Sequence, residues 1–339
     1  MTEQNPSAAP AVEKPVSSGG VGDRLQGLVG GSWRSAVQRY AVLVMLALLF
    51  VVLSSASSAF LSKENLLNIL SEQTPLLIVA GAGTLVIIAG GFDLSTGSMA
   101  AVASVCAAWL AVRSNSYVGL IAAPVIGCLL GTVNGLVITG LRIHSFLATL
   151  ASSLVYGSLA LLITGGFLIS VDDPRFPVLG RGQVGGLPNA SLLMAGFVLL
   201  AGLLLNRTVF GRHVFAVGGN AEAAELSGVR VGLVRIGTFA FSGFAAGLAG
   251  AVLVSRIASG QPQTGRDLTL QAVAAVILGG TSIYGGVGAV WRSVVGVLLL
   301  ALIENGFNLL NANPFLRDLV TGMIIVLAVA LSAVGGRRR

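Results

Sequence analysis

Long apolar runs, several of them free of charge, alternate along the chain with short polar or glycine-rich connections. The run from Tyr40 to Leu61 alone exceeds the roughly 20 residues that one membrane-spanning helix needs. The pattern therefore predicts an all-α polytopic membrane protein. About ten spans are expected, at Arg39–Phe60, Pro75–Gly90, Ser98–Val112, Val118–Gly140, Phe146–Gly165, Ala190–Asn206, Leu233–Arg256, Leu268–Ile283, Val287–Gly306 and Pro314–Ala333.

The composition favours a closely packed helix bundle in lipid. Hydrophobic residues make up 55% of the 339 positions and charged residues 10%, with a mean hydropathy of +0.90, so one water-soluble core could not bury the apolar surface. The 46 glycines allow helix backbones to approach one another. Cys106 and Cys128 lie in apolar runs without metal-binding or CxxC spacing, so we expect no disulfide, metal site or cofactor.

The charged residues set the expected orientation. Residues 1–38 are rich in Pro, Ala, Ser and Gly and lack an apolar signal-peptide core, which predicts a disordered cytoplasmic tail. An even number of spans brings the basic tail 336–339 to the same side, with the transmembrane domain at 39–335 between the tails. The loop Asn206–Gly232 is then cytoplasmic. The excess basic residues behind the net charge of +7 are distributed along the predicted cytoplasmic side of the protein. We therefore expect no nucleic-acid partner.

That loop contains the stretch AVGGNAEAAELSGV at residues 216–229, which has the pattern of a short soluble helix. Asn220 stands at the N-cap position, and Glu222 and Glu225 lie near the positive end of the helix dipole. Gly228 is placed for a left-handed residue that ends the helix. So short a helix must dock on something, either its own bundle or another protein. The alternative is an amphipathic helix resting on the membrane surface, although its small, acidic residues disfavour that.

Several polar side chains fall inside the predicted spans or at their ends. Asp93 lies between two apolar runs in IIAGGFDLSTGSMAAV, where it is either a functional carboxylate or, with Ser95, a cap for the helix that begins near Gly97. The other intramembrane candidates either contact a solute or form interhelical hydrogen bonds. The candidate path residues are Asp93, Asn134, Asn305 and Asn308.

A second glycine-rich junction, AAVILGGTSIYGGVGAVW, loosely repeats the first. It lacks the GxxxxGK[ST] pattern of a phosphate-binding loop, and the lysines, Lys14 and Lys63, lie elsewhere. His144 and His213 have no serine or carboxylate in a catalytic arrangement. The sequence therefore predicts no catalytic site and no ATP hydrolysis by this chain.

Four ordered blocks carry a resemblance to a known family. They are GGFDLSTGSMAA, GTVNGLVITGLRIHSFLATL, FGRHVFAVGGNAEAAELSGVRV with FSGFAAGLAGAVL, and AAVILGGTSIYGGVGAVWRSVVGVLLLALIENGFNLL. The chain resembles the permease subunit of bacterial ATP-binding-cassette (ABC) importers for ribose, xylose, arabinose and galactose. The resemblance implies a type II importer fold of about ten helices in the bacterial inner membrane.

The resemblance also implies partners and a site. The partners are ATPase subunits with two fused cassettes, a periplasmic or lipid-anchored sugar-binding protein, and a second permease copy or paralogue. The segment that matches Gly218–Val229 is the family's coupling helix, which docks on the ATPase. The residues carried over are Gly218, Gly219, Asn220, Glu222, Ala223, Glu225, Leu226 and Gly228.

The chain departs from the family pattern at a few positions, so the sugar stays unnamed. His144 replaces a usual proline, Gly157 a common arginine, and Leu270–Gln271 an acidic pair. Two alternatives remain open. One is an importer of the same class for a branched-chain amino acid or nucleoside, and the other is an ion-coupled carrier that uses Asp93 or Glu304.

Overall fold

The computed structural model describes residues 42–313, 315–317, 319–324 and 326, and the predicted tails 1–38 and 336–339 lie outside this part. Residues 315–317 and 319–324 are helical. The preceding helices are α1 (Val42–Ala56), α2 (Lys63–Glu72), α3 (Thr74–Ile88), α4 (Thr96–Arg113), α5 (Ser116–Gly140), α6 (Ser145–Thr164), α7 (Asn189–Arg207), α8 (Val209–Gly219), α9 (Ala221–Leu226), α10 (Val231–Ile257), α11 (Leu268–Leu278) and α12 (Val290–Leu309).

Among the described residues, six helices are long and apolar enough to cross a membrane: α4, α5, α6, α7, α10 and α12. Helices α2 and α3 form one further candidate span, bent by 46° at their junction. Helices α1 and α11 are apolar but shorter. The polytopic helical architecture is confirmed, whereas the predicted count of ten spans is not. The predicted span Leu268–Ile283 is too long, because α11 ends at Leu278 and Gly280 then adopts a φ of +88°.

Glycines hold α5 and α10 in backbone contact. A Cβ on Gly127 would come within 2.7 Å of the amide nitrogen of Gly247, and one on Gly131 within 2.9 Å of the Cα atom of Gly243. These residues recur every four positions on each helix and so share one face. Close packing through small residues was predicted from composition, and the structure identifies the helix pair that uses it.

Short strand pairs mark the end of the bundle opposite α8 and α9. Strand β1 (Ile169–Ser170) pairs antiparallel with β4 (Ser259–Gly260), and β2 (Gln183–Val184) pairs with β3 (Leu187–Pro188). A one-turn 3₁₀ helix, Phe176–Val178, lies between β1 and β2. Helix α10 is 27 residues long, or about 40 Å, and begins next to α9 and ends next to β4.

Two chain interruptions meet inside the bundle. Residues 89–95 separate α3 from α4, and residues 261–267 precede α11. The hydroxyls of Thr96 and Thr269 lie 3.0 Å apart, and the amide of Gly97 donates to the Thr269 hydroxyl at 2.8 Å. Side-chain hydroxyls thus satisfy backbone groups that a broken helix leaves free, as an apolar surrounding requires.

Candidate functional sites

Helix α9 begins as the sequence predicts. Asn220 has extended backbone angles, φ −160° and ψ 106°, and its side-chain oxygen accepts a hydrogen bond from the amide of Ala223 at 3.0 Å. This contact satisfies one of the amides that the first turn leaves unpaired. Glu222 lies in that turn, where a negative charge is favourable. The predicted N-cap is confirmed.

The end of α9 is fixed by Gly228. This glycine has a φ of +84°, its amide donates to the Glu225 carbonyl at 2.9 Å, and the next amide, of Val229, donates to the Ala224 carbonyl at 3.0 Å. The two bonds form a Schellman ending, in which a left-handed residue closes the helix. The predicted role of Gly228 is confirmed, and a side chain with a Cβ would be strained there.

The outer surface of α9 combines two carboxylates with an apolar tip. Ala224 is buried, while Glu222, Glu225 and Leu226 are exposed, Leu226 to 86%. We call these three exposed residues the α9 surface. Leu226 is thus an exposed apolar side chain close in sequence to two exposed carboxylates, on a short helix that is capped at both ends.

Helix α8 was not expected from the sequence. The resemblance places Gly218 and Gly219 in the coupling helix, but they form the end of α8, and Asn220 separates them from α9. Thr208 begins α8, since its hydroxyl accepts the amide of Gly211 at 3.1 Å. The buried Val214 and Val217, three positions apart, are the signal that would have indicated this helix.

The C-terminal ends of α3 and α8 meet the loop 279–289 at a glycine junction, defined by Ile88, Gly218, Gly285 and Gly286. The amide of Gly286 donates to the carbonyl of Ile88 at 2.9 Å. A Cβ on Gly218 would overlap that same carbonyl and come within 2.7 Å of the amide nitrogen of Gly286. Gly285 has a φ of +86°. The second glycine-rich block of the sequence thus packs on the end of the first.

Asp93 lies in a buried polar network between α3 and α4. Its side-chain oxygen Oδ1 accepts from the amide and the hydroxyl of Ser95 at 3.0 and 2.6 Å, and its Oδ2 accepts from the hydroxyl of Ser242 at 2.7 Å. Asp93 is 5% exposed. Ser95 is the N-cap residue of α4, but neither side chain accepts an amide of the first turn, so the capping interpretation is wrong. Asp93 instead orders the residue that precedes the helix.

Asn134 extends this network to two further helices. Its side-chain amide donates to the hydroxyl of Ser95 at 2.7 Å, and its oxygen accepts from the hydroxyl of Tyr156 at 2.9 Å. The chain of bonds joins α6, α5, the start of α4 and α10. Tyr156 and Ser242 were missed from sequence because a hydroxyl in an apolar helix is common and neither one lies near Asp93 in the chain.

The remaining path candidates lie elsewhere. Asn305 and Asn65 exchange two amide hydrogen bonds of 2.8 and 3.2 Å between α12 and α2. Glu304 accepts from Gln73 at 3.0 Å and pairs with Arg317 at 3.3 Å. Asn308 is exposed. The structure therefore brings Asp93 and Asn134 together through Ser95 and leaves the two α12 asparagines outside that network.

The residues that the structure describes contain no group of three or more His, Cys, Asp or Glu side chains that could hold a metal ion. Cys106 and Cys128 are both free thiols. His144 begins α6, where its Nδ1 accepts the amide of Phe146 at 3.3 Å. This family-divergent residue thus has a local structural role.

Comparison with known proteins identifies relatives over most of the chain. A family profile described as branched-chain amino acid transport system / permease component matches residues 65–329. The ribose import permease protein RbsC of Bacillus subtilis is 36% identical over 305 residues, which cover 87% of this chain and 92% of that protein.

Two further relatives come from Escherichia coli K12. Its RbsC is 35% identical over 292 residues, 85% of this chain and 91% of that protein. Its L-arabinose transport system permease protein AraH is 37% identical over 292 residues, 86% of this chain and 89% of that protein. No solved structure matches the chain significantly. The profile and these relatives span both the α9 surface and the Asp93 network, and the chain belongs to this family of ABC transport-system permeases.

Proposed function

We propose that the chain is the membrane-spanning permease subunit of an ATP-driven importer that carries a pentose or hexose across the bacterial inner membrane. The observation that carries this proposal is the near full-length similarity to permeases named for ribose and L-arabinose. Permeases of this family are transport components, so ATP is hydrolysed on a separate subunit. Both termini lie in the cytoplasm.

The α9 surface docks on the ATPase subunit. Three observations support this role: α9 is capped at both ends, Leu226 is almost fully exposed, and Glu222 and Glu225 frame it with negative charge. A rigid apolar tip suits a groove in a partner, and its carboxylates favour a basic rim on that partner. The ATPase carries two fused cassettes, and a second permease copy or paralogue completes the membrane assembly.

Movement of α9 reaches the membrane interior through the glycine junction. Helix α8 links α9 to Ile88, since its Gly218 lies against the Ile88 carbonyl, and the chain from Ile88 leads through residues 89–92 to Asp93. ATP binding on one face and a loaded sugar-binding protein on the other then favour different states of the bundle. A neutral sugar suits a path whose polar groups are amides and hydroxyls, and Asn134, Asn305 and Asn308 remain our candidates beside Asp93.

The substrate class is tested with the reconstituted complex. We expect its ATPase activity to rise when the binding protein carries ribose, arabinose or another monosaccharide. The name of the family profile favours a branched-chain amino acid as the second candidate. Stimulation by leucine or valine, with no response to any sugar, would decide for that candidate. Uptake that persists after ATP depletion and collapses with an uncoupler would instead indicate an ion-coupled carrier.

The docking role is tested by changing the α9 surface alone. Glu225→Lys, or deletion of residues 221–227, should abolish uptake and co-purification with the ATPase while membrane insertion persists. Glu64→Lys is the matched control, since it makes the same charge change on an exposed position of α2. Full uptake by the deletion variant contradicts the docking role without bearing on the substrate class.

A further inference from the structure

A cavity in the described residues lies beside α9 and is not part of the α9 surface. It has a volume of about 360 Å³ and is lined by Phe210, His213, Gly228, Arg230, Leu233 and Val234. This volume is far more than the ~15 Å³ that a single water needs. The walls come from the start of α8, the turn after α9 and the start of α10, so the cavity separates two helices at one end of the bundle.

The cavity lies near the ends of two candidate membrane spans. Helix α7 ends at Arg207 and α10 begins at Val231, and both are among the candidate membrane spans. On its apolar side the cavity is bordered by Leu233, which is 57% exposed. Val209, which precedes the lining residue Phe210, is 56% exposed. Exposed aliphatic side chains next to the end of a spanning helix are suited to contact with acyl chains.

The cavity lining contains an arginine and no carboxylate. Arg230 lines it, and Arg207, Arg212 and Arg235 are near it in sequence. Within the described residues, none of these four side chains makes an ion pair or a side-chain hydrogen bond, and His213 makes none either. The carboxylates of α9 do not line the cavity.

We propose that this cavity binds the headgroup of an anionic phospholipid, with the phosphate at Arg230 and His213 and the glycerol and first acyl carbons against Phe210 and Leu233. Guanidinium groups are well suited to a phosphate, and basic pockets between membrane helices select anionic headgroups. An acidic protein segment would satisfy the charge but would not use the apolar wall, and a free phosphate ion would leave that wall in water.

The test measures thermal unfolding of the purified full-length chain in a neutral detergent, with added phosphatidylglycerol, phosphatidylcholine or inorganic phosphate. We expect phosphatidylglycerol to stabilise the protein and the other two not to. Arg230→Gln should weaken the phosphatidylglycerol affinity about fivefold, the effect of one basic side chain near a lipid surface. Arg230→Lys should retain most of it.

The matched control is Arg142→Gln, which removes an exposed arginine from the turn between α5 and α6, outside the cavity. Its affinity for phosphatidylglycerol should equal that of the unchanged protein. Equal stabilisation by phosphatidylcholine, or by inorganic phosphate alone, would overturn the proposal. So would an equal loss in the Arg142 and Arg230 variants, because the attraction would then come from overall charge. None of these outcomes depends on which solute the protein transports.

Discussion

Substituting Gly218 by alanine isolates the glycine junction from the rest of the α9 region. The added Cβ would overlap the Ile88 carbonyl oxygen and approach the amide nitrogen of Gly286 to 2.7 Å. Both neighbours are backbone atoms, so no side-chain rotation can relieve the overlap. The end of α8 must therefore move away from α3 and the loop 279–289.

The cost of this displacement follows from its separate parts. Overpacking of a tight contact costs about 1–3 kcal/mol, and loss of the 2.9 Å bond from Gly286 to Ile88 adds about 1 kcal/mol. The higher helix propensity of alanine offsets up to ~1 kcal/mol of this destabilisation. A net penalty of about 2 kcal/mol disfavours the packed arrangement of the glycine junction about 30-fold.

The assay pairs thermal unfolding of the purified permease with ATP-dependent sugar uptake in cells. We expect Gly218→Ala to lower both the unfolding temperature and the uptake rate, the latter by at least tenfold. Gly219→Ala is the control for stability, because a Cβ there meets nothing within 4 Å. Gly202→Ala, also in open space but on α7, is the control for uptake.

An unfolding temperature for Gly218→Ala equal to that of Gly219→Ala would refute the steric argument. A lower unfolding temperature with normal uptake would confirm that the contact stabilises the protein. It would refute the proposal that movement of α9 reaches the bundle through this contact. The two readouts thus separate the packing claim from the coupling claim.

Three further predictions concern hydrogen bonds. Asn134→Leu should lower the free energy of unfolding by about 1 kcal/mol and Tyr156→Phe by about 0.6 kcal/mol, since an interhelical bond in a membrane is worth this much; chemical denaturation in detergent measures both. Asn220→Ala should speed amide exchange across α9 by the equivalent of about 1 kcal/mol, while Asn220→Asp keeps the cap. The Arg175 guanidinium donates hydrogen bonds to Asp173 and holds the pKa of that carboxyl below its ordinary value. The Asp173–Arg175 pair therefore stabilises the loop fully at pH values above the unfolded carboxyl pKa of ~3.9. This stabilisation is lost as the pH falls through the lower pKa of the folded state. An NMR titration of that carboxyl that follows the ordinary value would contradict the last prediction.

Local signals explain which parts of the fold were predictable. The caps of α9 depend on residues within eight positions of one another, so Asn220 and Gly228 could be assigned from sequence alone. Hydrophobic length likewise located the six helices that are long enough to span, since each needs only its own residues. It misjudged α11, whose end is set by the fold of the loop 279–289 onto Ile88 rather than by hydropathy.

The Asp93 network was only half predictable because its partners are distant in sequence. Apolar flanks identified Asp93 and Asn134 as unusual, and burial confirms that both are enclosed. Ser242 lies 149 positions from Asp93, and its role depends on the packing of α10 against α4 and α5. A local sequence pattern cannot predict that contact. The network also explains how a buried carboxylate is tolerated without a basic partner among the described residues, because the Asp93 oxygens accept three hydrogen bonds.

The adjacent glycines Gly218 and Gly219 show why composition cannot rank glycines by function. They share one local sequence, yet a Cβ is excluded at Gly218 by α3 and the loop 279–289 and meets open space at Gly219. Within the part of the chain that the structure describes, no contact requires glycine at Gly219. If Gly219→Ala keeps full stability but lowers uptake, the added methyl group meets the ATPase and extends the docking region to the end of α8. If neither quantity changes, glycine is merely permitted there, and the docking region begins at Asn220.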